Sequence, residues 1–310
     1  MADELLIIAG FILLISGAEV FVQGAVTLAT KLNIPPLLVG FTIVAIGTSL
    51  PELAVVLKAL DEGTPDIAVG GIIGSNISNV MLVLGTAAIL GASESPGRGI
   101  RRDAMAVLVA TLILVIAALY GEIPLFIGLF MLILLVTFYA YSYNHAKNLD
   151  IPEENPDSWL ANNSYSASIA LLSGGLMVMF GANLLMEGVE GFMVKYSLNE
   201  SVIGLTIIAL GTSLPEFAVT VISALRGQGG VALGNVLGSN VMNILGILGI
   251  AAIYGGGIII DSSFAERDIW ILLFSSGLVC AMLFSNKEIG KEIGFTMVLG
   301  YIIYLFFVVS

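Results

Sequence analysis

Six residues, Gly47-Thr48-Ser49-Leu50-Pro51-Glu52, return letter for letter as Gly211-Thr212-Ser213-Leu214-Pro215-Glu216, 164 positions later. Each copy lies inside a run otherwise apolar enough to cross a bilayer. An ionised carboxylate at mid-membrane costs about 2.5–3.5 kcal/mol even on the lenient insertion scale. A chain that carries this cost twice, in one identical context, has to fold so that both acids are used away from lipid.

Composition sets the solvent. The 310 residues are 58% hydrophobic and 11% charged, whereas a soluble domain is about a quarter charged. The apolar stretches run near the ~20 residues that a helix needs to cross the hydrocarbon core, and they lack the alternation of outer-membrane strands. Ten segments can be counted, at about 5–29, 34–60, 67–90, 102–120, 124–143, 166–192, 201–225, 231–254, 268–284 and 292–309. The start, Met1-Ala2-Asp3-Glu4, has no basic stretch of a signal peptide, so the first segment is expected to be retained. The expectation is an all-α, multi-pass protein of the cell membrane.

The two motif copies belong to a longer duplication. Gly74-Ser75-Asn76 matches Gly238-Ser239-Asn240, Asn79 matches Asn243, and Gly17-Ala18 matches Gly181-Ala182, all at the same shift of 164. Residues 1–143 then form a first five-helix repeat, 144–165 a polar cytoplasmic linker, and 166–310 a second repeat. Five is odd, so the second repeat enters the membrane from the opposite side. Such inverted repeats are common in secondary transporters, with the substrate bound near the midplane between them. Alternate connections carry eight basic residues on one side and three on the other. The excess marks the cytoplasm and puts both termini outside it.

Several function classes drop out. Net charge is −12, with acids such as Asp61, Glu62, Asp66, Glu153 and Glu154 in loops, so no basic surface exists for nucleic acid. These loops could concentrate cations, although ordinary solvated loops read the same way. Cys280 is alone and His145 is the single histidine, which leaves neither a disulfide framework nor a zinc site. No HExxH motif or paired catalytic aspartates suggest an intramembrane protease, and no enzyme activity, cofactor or protein partner is expected.

What remains is a hard-cation site. Pro51 has no N–H for the carbonyl of Gly47, and its ring crowds that turn. The helix should break there and free carbonyl oxygens, which survive at membrane depth only where they line a cavity or meet a ligand. Thr48 lies four residues before Glu52, on the same face if the turn stays helical. Ser75 and Asn79 share a face at i, i+4, as do Ser239 and Asn243. Carbonyls, hydroxyls and carboxylates suit Ca²⁺, Mg²⁺ or Na⁺. Two carboxylates carry −2, the charge of one Ca²⁺ or two monovalent ions. Glu19 has Asn183 as its counterpart and stands apart: an ion-path role and a polar helix contact are both open to it.

The doubled GTSLPE, each followed by a GSN block, resembles the sodium/calcium exchangers of the cation/calcium antiporter superfamily. The motif matches cover about residues 40–80 and 204–244. The resemblance implies ten transmembrane helices as two inverted five-helix repeats. It assigns Ca²⁺ to Glu52 and Glu216 with backbone oxygens of Thr48 and Thr212. It assigns one sodium site to Ser49, Ser239 and the Ala45 carbonyl with Glu216, and the other to Ser213, Ser75 and the Ala209 carbonyl with Glu52. Asn79 and Asn243 would face the centre, and segments one and six would slide against the core. Family members often carry aspartate at the position of Asn79 or Asn243, so this site has two acids where others have more. The sister calcium/proton exchangers commonly have an Asn-rich motif in place of GTSLPE, which favours Na⁺ as the counter-ion. Ca²⁺ and Na⁺ are the expected cargo, with H⁺ or K⁺ as further candidates. A Ca²⁺/H⁺ antiporter on the same fold is the alternative, and a cation channel the more distant one.

Overall fold

The computed structural model describes residues 2–92, 99–146, 164–195, 211–285 and 288–309. These form helices almost throughout. A two-residue antiparallel pairing, β1 (Glu122–Ile123) with β2 (Ile258–Ile259), is the exception. The helices are α1 (Ala2–Leu32), α2 (Pro36–Val39), α3 (Ala45–Thr48), α4 (Leu50–Asp61), α5 (Pro65–Ser78), α6 (Leu84–Ile89), α7 (Ile100–Tyr120) and α8 (Leu125–Ala146). After the polar connection come α9 (Ser164–Lys195), α10 (Leu214–Leu225), α11 (Gly229–Val241), α12 (Leu248–Tyr254), α13 (Ser262–Glu266), α14 (Asp268–Phe284) and α15 (Lys291–Val309). Most of the expected linker, and the start of the seventh apolar segment, lie outside the described residues.

Among the described residues seven helices are long and apolar enough to span a membrane, or eight if the bent pair Pro36–Thr48 and Leu50–Asp61 counts as one. The outer faces of α8 and α15 carry exposed Phe126, Phe130, Phe295 and Phe306. Large apolar side chains turned outward are what a hydrocarbon solvent permits.

Three short stretches widen from α to π geometry: Gly40–Val44 between α2 and α3, Asn79–Val83 between α5 and α6, and Met242–Ile247 between α11 and α12. Such bulges redirect a helix face and occur often at functional sites. Two of them begin at or beside Asn79 and Asn243, which are repeat counterparts.

The long helices α1 and α9 lie antiparallel against each other. Gly10, Gly17 and Gly24 recur every seven residues on α1, as do Gly174, Gly181 and Gly188 on α9. A Cβ on Gly17 would fall 2.6 Å from the Met177 Cβ, and one on Gly181 would fall 2.4 Å from the Leu14 nitrogen. The backbones therefore touch, the small-residue packing usual between membrane helices. This pair shares an apolar cluster with α2 and α10, built on Phe21, Val22, Leu38, Val44 and Val219. A second, larger cluster holds α4–α8, α11, α12, α14 and α15 together.

Contacts repeat between the halves. Arg102 Nε donates to Asp103 at 2.7 Å and its Nη1 to the Ser142 carbonyl at 3.3 Å. Arg267 Nε donates to Asp268 at 3.1 Å and its Nη1 to the Phe307 carbonyl at 3.3 Å. Each partner in the second set stands 165 positions after its equivalent in the first.

Candidate cation site

The site begins at two helix breaks. Ser49 (φ −87°, ψ 3°) leaves helical geometry between α3 and α4, and Ser213 (φ −85°, ψ 1°) does so ahead of α10. The break falls two residues before each proline rather than on it. Pro51 and Pro215 sit in the first turn of the following helix, where their missing N–H costs nothing. The α3–α4 pair bends by 41° at this point. Glu52 and Glu216 therefore both lie in the first turn of a helix that starts inside the protein, where the N-terminal end favours negative charge.

The break also changes where Thr48 points. It is not on a continuous face with Glu52. Its hydroxyl lies 3.1 Å from Asn235 Oδ1, 3.4 Å from Ser239 Oγ and 3.3 Å from the Ala45 carbonyl. Thr48 thus reaches into the other half of the chain.

Glu52 and Glu216 are 2% and 0% exposed, with carboxyl groups close enough to interact directly. Hydroxyls surround them in a crossed pattern. Ser49, from the first copy, donates to Glu216 Oε1 at 3.2 Å, and Ser239 donates to the same oxygen at 3.5 Å. Ser75 donates to Glu52 Oε1 at 3.4 Å and lies 3.1 Å from Ser213 Oγ, of the second copy. Asn243 Nδ2 donates to Ser75 Oγ at 3.3 Å. Ala45 is buried beside them, and its carbonyl already accepts from the Ser49 N–H at 3.0 Å. Thr212 sits half-buried in the turn before α10. Ala209 lies outside the described residues.

The inner oxygens are left over. Glu52 Oε2, Glu216 Oε2, Asn243 Oδ1 and both amide atoms of Asn79 are buried with no hydrogen-bond partner among the described residues. No lysine or arginine among those residues pairs with either acid; the described ion pairs lie elsewhere, at Glu19, Glu62, Asp103 and Asp268. Two facing buried carboxylates without a counter-charge repel each other and bear the full cost of desolvation. Hard cations from water would remove both penalties, and the oxygen-only surroundings fit Ca²⁺ or Na⁺.

Sequence reasoning passed over Asn235, gave Asn76 and Asn240 no role beyond the repeat, and left Glu19 open between two roles. Asn235 is buried and ties Thr48 to the Glu216 carbonyl and to Thr220. Its repeat counterpart is Gly71, so a comparison of identical positions does not reveal it. Asn76 and Asn240 are also buried, and Asn240 Nδ2 donates to the Asn76 carbonyl at 3.5 Å. Glu19 is engaged outside the centre: Arg226 holds both its oxygens at 2.9 Å, and Gln23 donates to it at 3.3 Å.

The family model described as sodium/calcium exchanger protein matches residues 4–144 and 166–310. The chain belongs to the sodium/calcium exchanger family. Among its relatives in that family, the sodium/calcium exchanger MaX1 of Methanosarcina acetivorans is 29% identical, over 97% of both chains. An uncharacterised membrane protein of Methanocaldococcus jannaschii is 37% identical over 79% of this chain and 80% of its own. A structure of the exchanger NCX_Mj, soaked with Na⁺ and Ca²⁺, superposes with a TM-score of 0.82 at 29% identity, covering 98% of this chain and 97% of that one. Membership places the chain among cation/calcium antiporters, a class of transporters.

Proposed function

We propose that the protein exchanges Na⁺ for Ca²⁺ by alternating access through one shared site. Glu52 and Glu216 are its charged ligands, the backbone oxygens of Thr48 and Thr212 complete the Ca²⁺ position, and Ser49, Ser239, the Ala45 carbonyl, Ser75, Ser213 and the Ala209 carbonyl serve the sodium positions. Asn79 and Asn243 face the centre. The observation that carries this reading is the pair of facing buried carboxylates, each on a helix that starts inside the protein and each with one oxygen unpartnered among the described residues. Their joint charge of −2 is balanced by one Ca²⁺ or by two Na⁺, so occupancy by one ion excludes the other.

The same reading takes ten membrane segments, arranged as inverted repeats at residues 1–143 and 166–310 around a cytoplasmic linker at 144–165. It is supported by the recurrence of the Arg–Asp–carbonyl contacts and of the helix breaks in both halves. Both termini lie outside the cytoplasm on the distribution of basic residues. The glycine-lined pair α1 and α9 is the unit that slides against the rest, over the apolar cluster it shares with α2 and α10.

Coupling is tested by loading purified protein into vesicles and measuring Ca²⁺ uptake with Na⁺, H⁺ and K⁺ gradients imposed singly. An outward Na⁺ gradient should drive uptake. Uptake driven by a pH gradient without sodium identifies a Ca²⁺/H⁺ antiporter instead, and flux with no counter-ion identifies a channel.

A further inference from the structure

The duplicated motifs make the two half-sites look equivalent, yet one residue breaks the equivalence. Asn235, on α11, is fully buried among groups from both halves of the chain. Its Oδ1 lies 3.1 Å from the Thr48 hydroxyl. Its Nδ2 donates to Thr220 Oγ1 at 3.0 Å and to the backbone carbonyl of Glu216 at 3.3 Å. One amide therefore fixes the end of α3 against the first turn of α10. At the equivalent place in the first half stands Gly71, and Thr220 has Val56 as its counterpart. Neither Gly71 nor Val56 carries a side-chain group with which to build the same link.

A hydroxyl has one proton and two lone pairs. The acceptor that takes its proton therefore fixes how the side chain is turned. The hydrogen-bond partners of Thr48 Oγ1 are Asn235 Oδ1, the Ala45 carbonyl and the Ser239 hydroxyl, with the Glu216 carboxylate also close by. Asn235 Oδ1 is the nearest of the three partners. The orientation of this amide is set from the far side, where its Nδ2 faces two acceptors, the Thr220 hydroxyl and the Glu216 carbonyl. The acceptor end must then face Thr48, which pins the threonine side chain and, with it, the backbone oxygen that the exchange reading assigns to Ca²⁺.

From this arrangement we infer that Asn235 is a positioning residue that sets Ca²⁺ selectivity, by holding Thr48 and the Glu216 turn in one fixed geometry. The inference rests on the exchange reading above, in which Thr48 serves Ca²⁺ while the serines serve Na⁺. The strut stiffens the Thr48–Glu216 half, while the first repeat has glycine and valine at the two equivalent positions. A divalent ion that gathers six to eight oxygens gains most from a prearranged half-shell.

The test is equilibrium binding of Ca²⁺ and of Na⁺ to the purified full chain in detergent, for the parent and two variants. Asn235→Leu keeps the volume and removes every bond of the strut. Thr220→Val removes only the distant anchor, touches no proposed ligand, and installs the residue already present at the repeat counterpart. Loss of a buried bond of this kind corresponds to about tenfold in affinity. Asn235→Leu should weaken Ca²⁺ by about tenfold and Na⁺ by less than about threefold, and Thr220→Val should act in the same sense by about threefold. Equal weakening for both ions, a larger loss for Na⁺, or unchanged Ca²⁺ affinity overturns the inference. Absence of Ca²⁺ binding to the parent would instead overturn the exchange reading itself, so the two failures are distinguishable. Thermal unfolding of each variant without ions checks that the fold persists; if Asn235→Leu does not fold, the Thr220→Val ratio decides.

Discussion

Asn240 donates its amide to the backbone carbonyl of Asn76, and the two residues are 164 positions apart. Each is the other's counterpart in the duplicated sequence. On the proposed inverted-repeat reading, such a contact falls close to the axis relating the halves, where α5 and α11 meet. Around it the hydroxyl contacts cross over: Ser49 of the first copy donates to Glu216, and Ser213 of the second contacts Ser75, which donates to Glu52. Neither half can form the site without the other.

That crossing makes Ser75 a junction, since it meets Glu52, Ser213 and Asn243 at once. A hydrogen bond to a charged group contributes about 1.5–3 kcal/mol. Ser75→Ala is therefore expected to weaken Na⁺ activation of exchange by at least about tenfold. The check is the Na⁺ concentration dependence of Ca²⁺ efflux from vesicles, and an unchanged half-activating concentration counts against the assigned sodium position.

Asn243→Asp places a third carboxyl group beside Ser75, in a position that is fully buried and whose Oδ1 has no partner among the described residues. The added acid must be balanced by a further cation or a proton. Ca²⁺ uptake by this variant should fall off more steeply than the parent's as pH is lowered, with the fold intact. Matching pH profiles and an unchanged coupling ratio would remove Asn243 from the centre.

Glu19 and Arg226 join the sliding pair to the core, since one lies on α1 and the other caps the end of α10. Their repeat counterparts are Asn183 and Glu62, which cannot form an ion pair. On the proposed alternating-access reading, a tie with no ion pair at its counterparts is expected to favour one facing state. A partly exposed pair is worth about 1 kcal/mol at most, so Glu19→Gln should shift that equilibrium by up to about fivefold. Labelling of a cysteine placed on α10 near Arg226 reports it: labelling should speed up in the variant, and an equal rate shows that the pair does not bias the states.

The α1–α9 seam predicts a stability effect instead. A Cβ at Gly181 would come within 2.4 Å of the Leu14 nitrogen, with no flexible atom to give way. Gly181→Val should cost about 1–3 kcal/mol through overpacking, seen as a lower unfolding temperature in detergent. A melting curve matching the parent's would mean that the helices are not in backbone contact.

Much of this site was legible in the sequence because it was written twice. Identity at a shift of 164 picked out Glu52, Ser75, Asn79 and their counterparts, and the apolar runs around them supplied the membrane setting. The second halves of the repeats were harder to align, because the shared Arg–Asp contacts recur at 165, so a constant shift runs past them. Asn235 and Glu19 were passed over or left open for a related reason: each has no like residue at its counterpart, and its partner is distant in the chain. The break at Ser49 in place of Pro51, and the π stretches at Asn79 and Met242, depend on how the backbone relaxes next to its neighbours. Residue spacing carries no trace of that.

The central claim is that two facing carboxylates share one set of ions. It is tested most directly by Na⁺-driven Ca²⁺ uptake into proteoliposomes bearing Glu52→Gln or Glu216→Gln, each neutral and equal in size to the parent side chain. Uptake should vanish in both variants, although the proteins reconstitute as well as the parent. Uptake above the protein-free background in either one would contradict the account.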